Sequence, residues 1–321
     1  MNRLSAYAIA LLTLVMAPPA MAYTAYVSNE KGNTISVIDL TTMEVTATVP
    51  VGERPRGITL SVDGKHIYIC TSDADHIEVF DADSLTLLRT LPSGPDPELF
   101  ALAPDGKLLY VANEDNNMVT VVDVGPGAVA AEIPVGTEPE GMGVSPDGKW
   151  LVSTSETTSM AHFIDTATFE VVDSVLVDAR PRFAAFTPDG SQVWVSSEIG
   201  GTISVIDVAS RKIVQKIAFE VQGLRKESIQ PVGISITPDG KTAFVALGPA
   251  NRVAAIDVGS FAVKEYLLVG QRVWQLDLTP DAKFLLTTNG ESNDVSVIDV
   301  DALKVIKSIP VGELPWGVVI R

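Results

Sequence analysis

Apolar residues along this chain occur in short runs separated by polar turns, and one run recurs at a fixed interval. The run reads Ser-x-Val-Ile-Asp or a close variant. Its final aspartates are 42 residues apart, except for one interval of 50. They are Asp39, Asp81, Asp123, Asp165, Asp207, Asp257 and Asp299. Such a period predicts a repeat protein in which each unit is one small antiparallel sheet.

The second repeat shows which strands each unit contains. The pattern predicts strands over residues 56–60, 66–71, 77–81 and 87–91. A Pro-Asp-Gly-type turn follows the first run in most repeats. Because the runs are apolar at nearly every position, each sheet should be covered on both faces by its neighbours. Four-stranded sheets packed in this way around an axis form a β-propeller.

The two ends of the repeat array predict how the ring closes. The first repeat begins at Tyr23 with a second strand, and the chain ends on a first strand at residues 316–320. A composite blade of three N-terminal strands and the C-terminal strand would protect the edges of an open array. We therefore predict an all-β fold, with residues 23–321 forming a single seven-bladed β-propeller domain of four-stranded antiparallel blades.

Residues 1–22 have the pattern of a secretory signal peptide. A basic residue, Arg3, precedes an apolar run over residues 4–15, and Ala20-Met21-Ala22 fits a signal peptidase site. The run is too short to span a membrane, and no later run is long enough. We therefore expect an exported, periplasmic protein without membrane insertion.

Charge and motif content narrow the function. The net charge of −17 disfavours nucleic acid as a partner. The single cysteine, Cys70, cannot form a disulfide within the chain. The sequence contains no Cys-x-x-Cys-His, His-Glu-x-x-His, Gly-x-Ser-x-Gly or phosphate-loop motif, and its three histidines lie in separate positions of the repeats. From these motifs we assign no catalytic residue, no metal site and no cofactor to this chain.

Aligning the repeats at their aspartates places a charged and variable column on one face of the predicted propeller. The loops before the first strand and between the second and third strands emerge there, around the mouth of the channel, which is the default ligand surface. The candidate binding residues at the mouth are Arg54, Arg56, Glu98, Glu140, Arg180, Arg182, Arg272, Trp274 and Trp316. The candidate rim residues are Glu30, Glu114, Glu156, Glu198 and Arg225.

Two interpretations of this column stay open. In the first, the charged side chains at the mouth only pair with one another, in salt bridges such as Arg56 with Glu98 and Glu140 with Arg182. In the second, the charges and an exposed wall of the two tryptophans form a pocket for a small polar ligand or a partner's side chains. The eight extra residues of the longer repeat, around residues 221–230, are either a plain loop or a contact for a partner.

Several motifs resemble a known family. Residues 26–29, Tyr-Val-Ser-Asn, and 110–113, Tyr-Val-Ala-Asn, resemble the strand motif that names the YVTN-type β-propeller repeats. The Pro-Asp-Gly-Lys turns and the Ile-Pro-Val-Gly endings at 133–136 and 309–312 are also similar to that family. The likeness covers the mature chain. It looks most like the exported seven-repeat propeller found alongside pyrroloquinoline quinone (PQQ)-dependent alcohol catabolism and its transport genes.

The resemblance implies a non-catalytic binding or scaffold protein that is accessory to periplasmic PQQ-dependent alcohol catabolism or to its associated transport system. Its partner would be a quinoprotein dehydrogenase, a transporter component or a small polar molecule, and any PQQ would be bound by the partner. We favour this role over catalysis at this point.

Two other functions stay open. Some propellers hydrolyse lactones with a carboxylate-bound divalent cation, and Glu30, Glu98, Glu140 and Glu156 could supply its oxygen ligands. The neighbouring arginines would compete for those carboxylates. Alternatively, the chain is the non-redox propeller subunit of a quinoprotein dehydrogenase and docks a small catalytic subunit.

Overall fold

The structure is a computed structural model, and it describes residues 23–321. These residues form seven four-stranded sheets and two short 3-10 helices, Ser72–Ala74 and Lys226–Ser228. The expected signal peptide at residues 1–22 lies outside the described residues. Within the described part of the chain, no helix is both long and apolar enough to cross a membrane.

The strands follow the repeat along the chain. In the first half they are β1 (Thr24–Asn29), β2 (Thr34–Asp39), β3 (Glu44–Pro50), β4 (Pro55–Leu60), β5 (His66–Thr71), β6 (His76–Asp81), β7 (Leu87–Pro92), β8 (Pro97–Leu102), β9 (Leu108–Asn113), β10 (Met118–Asp123), β11 (Ala128–Pro134), β12 (Pro139–Val144), β13 (Trp150–Ser155), β14 (Met160–Asp165) and β15 (Glu170–Leu176). In the second half they are β16 (Pro181–Phe186), β17 (Gln192–Ser197), β18 (Thr202–Asp207), β19 (Lys212–Ala218), β20 (Ile234–Ile236), β21 (Thr242–Ala246), β22 (Arg252–Asp257), β23 (Val263–Leu268), β24 (Val273–Leu278), β25 (Phe284–Asn289), β26 (Asp294–Asp299), β27 (Lys304–Pro310) and β28 (Pro315–Ile320).

Each blade is one antiparallel sheet of four strands. Blade 1 has the strand order β28-β1-β2-β3, and blades 2 to 7 take the remaining strands four at a time, from β4–β7 to β24–β27. The first strands of neighbouring blades, such as β4 and β8 or β24 and β28, contact one another around the ring. These inner strands therefore line the central channel, which confirms the predicted seven-bladed β-propeller.

The predicted composite blade closes the ring. Strand β28 pairs antiparallel with β1, and Val318 lies opposite Val27. Beyond the end of β28, Thr24 and Arg321 exchange both backbone hydrogen bonds, at 2.9 and 3.0 Å. The two ends of the array are thus joined by a sheet ladder, in which β28 covers the edge that β1 would otherwise expose.

The hydrophobic core lies between neighbouring sheets. Strands β5 and β9 are buried at every position after the first, because each face of these strands packs on another blade. The outermost strand β3 instead alternates between exposed and partly buried positions, since only one of its faces is covered. This difference explains why the inner strands read as unbroken apolar runs and the outermost strands do not.

The repeating aspartates form turns on the face opposite the mouth. The Oδ1 atoms of Asp39 and Asp81 accept hydrogen bonds from the backbone N–H groups of Thr41 and Ser84, both at 2.7 Å. These backbone hydrogen bonds lower the pKa of both aspartates. The aspartate that marks the repeat therefore stabilises a turn and has a structural role.

Buried hydroxyl groups fix the start of the inner strands, where the charged column begins. The Ser28 hydroxyl donates to the carbonyl oxygen of Arg56 at 2.6 Å, and the Thr288 hydroxyl donates to that of Trp316 at 2.7 Å. Each bond joins the second strand of one blade to the inner strand of the next. The backbone positions of the mouth residues are thus set by contacts between blades.

Candidate functional site

The backbone before each inner strand turns a side chain towards the mouth. The residue before the proline has a left-handed conformation, with φ of 52° at Arg54, 56° at Glu138 and 58° at Arg180. Non-glycine residues rarely adopt this conformation without support. Support comes from the preceding blade, because the Asn117 side-chain oxygen accepts the N–H of Glu138 at 3.0 Å and that of Asn33 accepts the N–H of Arg54 at 2.9 Å.

Blades 1 to 3 contribute one network of ion pairs. Arg54 pairs through Nη1 with Asp96 at 2.7 Å and through Nη2 with Glu98 at 3.1 Å. Arg56 pairs through Nε with Glu30 at 3.3 Å and through Nη1 with the other oxygen of Glu98. Because Glu98 is fully buried, both guanidinium groups are held inward by one carboxylate.

Blades 4 and 5, with the loop after β17, contribute a second network. The guanidinium of Arg182 pairs with Glu140 at 2.7 Å and also with Glu156. The Nε of Arg180 lies 2.8 Å from Glu156 and 3.3 Å from Glu198. Arg182, Glu140, Glu156 and Glu198 are all buried, whereas the side chain of Arg180 is 47% exposed. Arg180 is therefore the arginine of this network that a ligand can reach.

We call these charged side chains, together with Glu114, Glu138 and Arg272, the charged ring. Its carboxyl groups are Glu30, Asp96, Glu98, Glu114, Glu138, Glu140, Glu156 and Glu198. Its guanidinium groups are Arg54, Arg56, Arg180, Arg182 and Arg272.

The two tryptophans lie beneath and beside the charged ring. Arg56 is 5.3 Å from the centroid of Trp316, and Trp274 lies between Arg272 at 4.1 Å and Arg182 at 5.8 Å. Trp274 is partly buried and Trp316 is 0% exposed, so the expectation of an exposed aromatic wall is wrong for Trp316.

Trp316 is buried because it packs across the channel. It belongs to one apolar cluster with Leu99, Met142 and Phe183, which lie on the inner strands of blades 3, 4 and 5. A cavity of about 240 Å³ borders these residues in the channel. In this cavity burial raises the pKa of Asp277 to about 7, and the carboxyl accepts the N–H of Ile320 in β28 at 3.0 Å. The indole thus forms part of the floor of the mouth.

Burial has opposite outcomes for two carboxyl groups in the second network. Burial raises the pKa of Glu140 well above its usual range, and the attraction of Arg182 offsets this only in part. Burial also acts to raise the pKa of Glu156, but a hydrogen bond with Glu140 and the guanidiniums of Arg182 and Arg180 lower it overall. Of the two carboxyl groups, Glu140 therefore binds a proton more readily than Glu156.

Two further carboxyl groups titrate close to neutrality. Burial, together with the neighbouring Glu98 carboxylate, raises the pKa of Glu114 to about 7. The same two causes raise the pKa of Asp96 to about 6, although Arg54 opposes them. A group with a pKa near the working pH is suited to general acid–base catalysis. Glu114 is the better placed of the two, because it lines an open depression.

That depression, which we call the mouth pocket, has a volume of about 330 Å³. Its walls combine carboxyl, guanidinium, hydroxyl and apolar groups. They are Glu114, Glu138, Glu156, Thr157, Ser159, Ala179, Arg180 and Ile199. Arg180 contacts Glu156 and Glu198 through Nε, and within residues 23–321 its two terminal nitrogens donate no hydrogen bond. The pocket therefore brings a carboxyl that titrates near pH 7 close to hydrogen-bond donors that are free to bind a ligand.

Two groups of three carboxyls could offer oxygen atoms to a hard divalent cation. They are Asp96, Glu98 and Glu114, and Glu114, Glu138 and Glu156, each with ligand atoms within 4.8 Å of one another. These sets differ from the metal ligands expected from sequence, because Glu30 and Glu140 belong to neither. Arginines already contact both sets, at 2.7 Å from Asp96 and 2.8 Å from Glu156. A cation at either set would therefore compete with a guanidinium for a carboxylate.

A cavity larger than the mouth pocket lies on the opposite face. It measures about 730 Å³ and is lined by turn residues of blades 2 and 3, including Asp63, Asp105 and Arg89. Hydrogen bonds within the turns, with Ser61 and with the N–H of Lys107 respectively, lower the pKa of Asp63 and Asp105. Because these carboxylates already stabilise turns, this cavity offers less chemistry than the mouth pocket.

The structure brings most of the predicted site residues together. Both salt bridges expected from sequence, Arg56 with Glu98 and Glu140 with Arg182, are present. Arg225 stays apart, because it is exposed beside the short helix of the insertion and makes no ion pair within the described residues. Sequence reasoning did not assign Glu138 to the site. The only signal in the sequence was its alignment with Arg54 and Arg180, which also directly precede a proline.

Comparison with known proteins identifies the family. The family model described as "Lactonase, 7-bladed beta-propeller" matches residues 20–130 and 170–305. A comparison with curated proteins finds no match in sequence.

Solved structures are similar in fold. Hydrazine synthase of Kuenenia stuttgartiensis is 24% identical, with a TM-score of 0.79 and coverage of 86% of this chain and 92% of that chain. A Bacteroides fragilis protein provisionally named a 6-phosphogluconolactonase is 21% identical, with a TM-score of 0.78 and coverage of 95% and 100%. A Bacteroides uniformis protein with the same provisional name is 18% identical, with a TM-score of 0.77 and coverage of 94% and 99%. At these identities the likeness concerns the fold alone. Because the family model spans most of the repeats, the chain belongs to the seven-bladed β-propeller lactonase family.

Proposed function

We propose that this protein hydrolyses a small lactone in the mouth pocket. One observation carries the proposal: the pocket pairs Glu114, whose pKa is raised to about 7, with the free terminal nitrogens of Arg180. Membership of the lactonase family supports the same reaction class. This proposal puts catalysis ahead of the purely binding role that the sequence favoured.

The reaction needs one water molecule and one proton carrier. The ionised carboxylate of Glu114 takes a proton from water as the water oxygen bonds to the lactone carbonyl carbon. Arg180 donates hydrogen bonds to the carbonyl oxygen as it becomes negatively charged. The ring C–O bond then breaks, and Glu114 returns the proton to the departing alkoxide. The product is the open hydroxy acid, and the carboxylate is regenerated.

The buried part of the charged ring orients these two groups. Glu156 and Glu198 hold the Nε edge of Arg180, at 2.8 and 3.3 Å, so that its terminal nitrogens are left for the substrate. Glu98 lies beside Glu114 and favours its protonated form through charge repulsion. None of these three carboxyl groups needs to touch the substrate. They set the direction of one side chain and the pKa of the other.

The test is hydrolysis of δ-aldonolactones by the purified protein and by Arg180→Gln, followed by acid release. We expect Arg180→Gln to lower kcat about 10²- to 10³-fold, as when one oxyanion donor is removed. The matched control is Arg211→Gln, since Arg211 stacks over Trp150 at 4.7 Å on the opposite face. The proposal fails if the wild-type protein shows no lactone hydrolysis above background, or if both variants keep full activity.

A binding role remains the second candidate, and exposed apolar residues on the face that carries the mouth favour it. Leu176, Ile199 and Leu268 are 65%, 60% and 63% exposed. In this case the protein acts in the periplasm and docks a partner of PQQ-dependent alcohol catabolism, either a quinoprotein dehydrogenase or a transporter component, and the partner carries any PQQ. Co-purification of such a partner by the wild-type protein, with its loss in Leu268→Glu, is the expected result. Equal recovery with both proteins would contradict it.

A further inference from the structure

The charged ring contains more acid than base. It has eight carboxyl groups, from Glu30 to Glu198, and five guanidinium groups, and each guanidinium contacts at least one carboxylate. The carboxyl groups outnumber the guanidinium groups by three, so the charged ring has no positive charge to spare.

We infer that the substrate is an uncharged, polyhydroxylated lactone and that the mouth pocket discriminates against its phosphorylated form. This inference rests on the proposed lactone hydrolysis and names its substrate class. A phosphate monoester carries a charge of about −2 near neutral pH, and it is usually bound by several arginines, lysines or free backbone N–H groups. The mouth pocket offers one guanidinium, Arg180, among Glu114, Glu138 and Glu156.

The neighbourhood of Arg180 reinforces this selectivity. Its Nε already contacts two carboxylates, Glu156 and Glu198, so that its charge is locally compensated. Glu138 makes no ion pair within residues 23–321 and is held by the Thr157 hydroxyl. A phosphate in the pocket would thus lie next to an uncompensated carboxylate in a partly desolvated site, where repulsion between like charges is strong.

The remaining walls suit a neutral sugar-like ring. Thr157 and Ser159 are accessible hydroxyl residues of the pocket, and Ile199 offers an apolar surface beside them. Hydroxyl groups both donate and accept hydrogen bonds, and carboxylates accept them from substrate hydroxyls. The pocket therefore matches a ligand that presents several hydroxyl groups and one carbonyl.

The experiment compares kcat/KM for a six-carbon δ-aldonolactone and for the same lactone with a phosphate ester at its terminal hydroxyl. We expect the uncharged lactone to be preferred about tenfold or more, and the preference to shrink as ionic strength rises, because salt screens the repulsion.

Glu138→Gln removes one negative charge from the pocket and should shrink the preference at low salt. Asp301→Asn removes one from an exposed turn on the opposite face and should leave it unchanged. Equal or better hydrolysis of the phosphorylated lactone would overturn the inference and leave the proposed reaction intact.

If neither lactone is hydrolysed, the proposed hydrolysis is wrong. Binding measurements then test separately whether the pocket prefers the uncharged ligand. Calorimetry then uses two stable probes, the corresponding lactam and its phosphate ester. Tighter binding of the uncharged lactam supports the selectivity of the pocket. Tighter binding of the phosphate ester, or no binding of either probe, overturns it.

Discussion

Arg182 shows at the scale of a residue why the mouth is rigid. Its side chain is 4% exposed, and it is the cation shared by Glu140 and Glu156. Taking these charges out of water costs free energy, which their mutual attraction must offset. Burial also raises the pKa of Glu140, although the charge of Arg182 opposes this rise. Removing the arginine would leave buried acids without their main counter-ion.

We therefore expect Arg182→Leu to lower the free energy of unfolding by about 3–5 kcal/mol, the range for breaking a buried ion pair. Arg180→Leu is the matched variant, because Arg180 contacts the same Glu156 from a half-exposed position and should cost only about 0–1 kcal/mol. Urea denaturation of both variants at neutral pH measures the difference. Similar losses in the two variants would show that burial of Arg182 is not decisive.

Individual salt bridges could be predicted from the sequence, but the burial and the pKa values of the residues at the mouth could not. Repeat alignment predicted the contact of Arg56 with Glu98, because equivalent positions in neighbouring blades must lie side by side. It did not predict that Trp316 would be fully buried, since that depends on side chains from several blades that meet across the channel. The raised pKa of Glu114 has a similar origin, because it results from burial beside Glu98.

At the scale of elements, the loop after the second strand supports the next blade at five of the seven positions around the ring. An Asn or Asp side-chain oxygen of this loop accepts the N–H of the left-handed residue before the next inner strand, at 2.8 to 3.0 Å. The supporting residues are Asn33, Asp75, Asn117, Asn251 and Asn293. Among these five contacts, only that of Asn117 supports a residue of the mouth pocket, Glu138.

This repeat allows a matched comparison. Asn117→Ala and Asn293→Ala each remove one such hydrogen bond, to Glu138 and Leu314 respectively, and each places alanine in a left-handed conformation. Both should lose about 1–3 kcal/mol of stability. We expect only Asn117→Ala to alter lactone kcat/KM and the preference against phosphate, because only it frees Glu138. Equal kinetic effects in the two variants would contradict a positioning role for Asn117.

The strands themselves were predictable, because the apolar runs and the Pro-Asp-Gly turns are local signals. The structure extends several predicted strands by one residue, as in β4, which begins at Pro55. The backbone conformation of the residue that precedes the proline of each inner strand was harder to predict. A left-handed backbone at Arg180 or Glu138 leaves no mark in composition, since neither residue type is typical of that conformation.

At the scale of the whole molecule, closure of the propeller completes the charged ring, whereas the mouth pocket is built by blades 3 to 5. Glu30 comes from blade 1 and meets Arg54 and Arg56 from blade 2, and blade 1 is completed by β28 from the other end of the chain. Asp277 adds a contact between blade 7 and β28 through the N–H of Ile320. The repeat period predicted this closure, because the strand missing from the first repeat is present after the last. Which charges would remain uncompensated inside the closed ring could be judged only from the structure.

The central claim is that Glu114 is the base of a lactonase at the channel mouth, and the dependence of kcat/KM on pH tests it most directly. A base must be ionised, so kcat/KM, corrected for spontaneous hydrolysis, should rise with pH and level off above a pKa of about 7. In Glu114→Gln this rise should disappear, and the rate should fall about 10²- to 10⁴-fold. A wild-type profile without a pKa near 7, or a rise that persists in Glu114→Gln, would contradict the account.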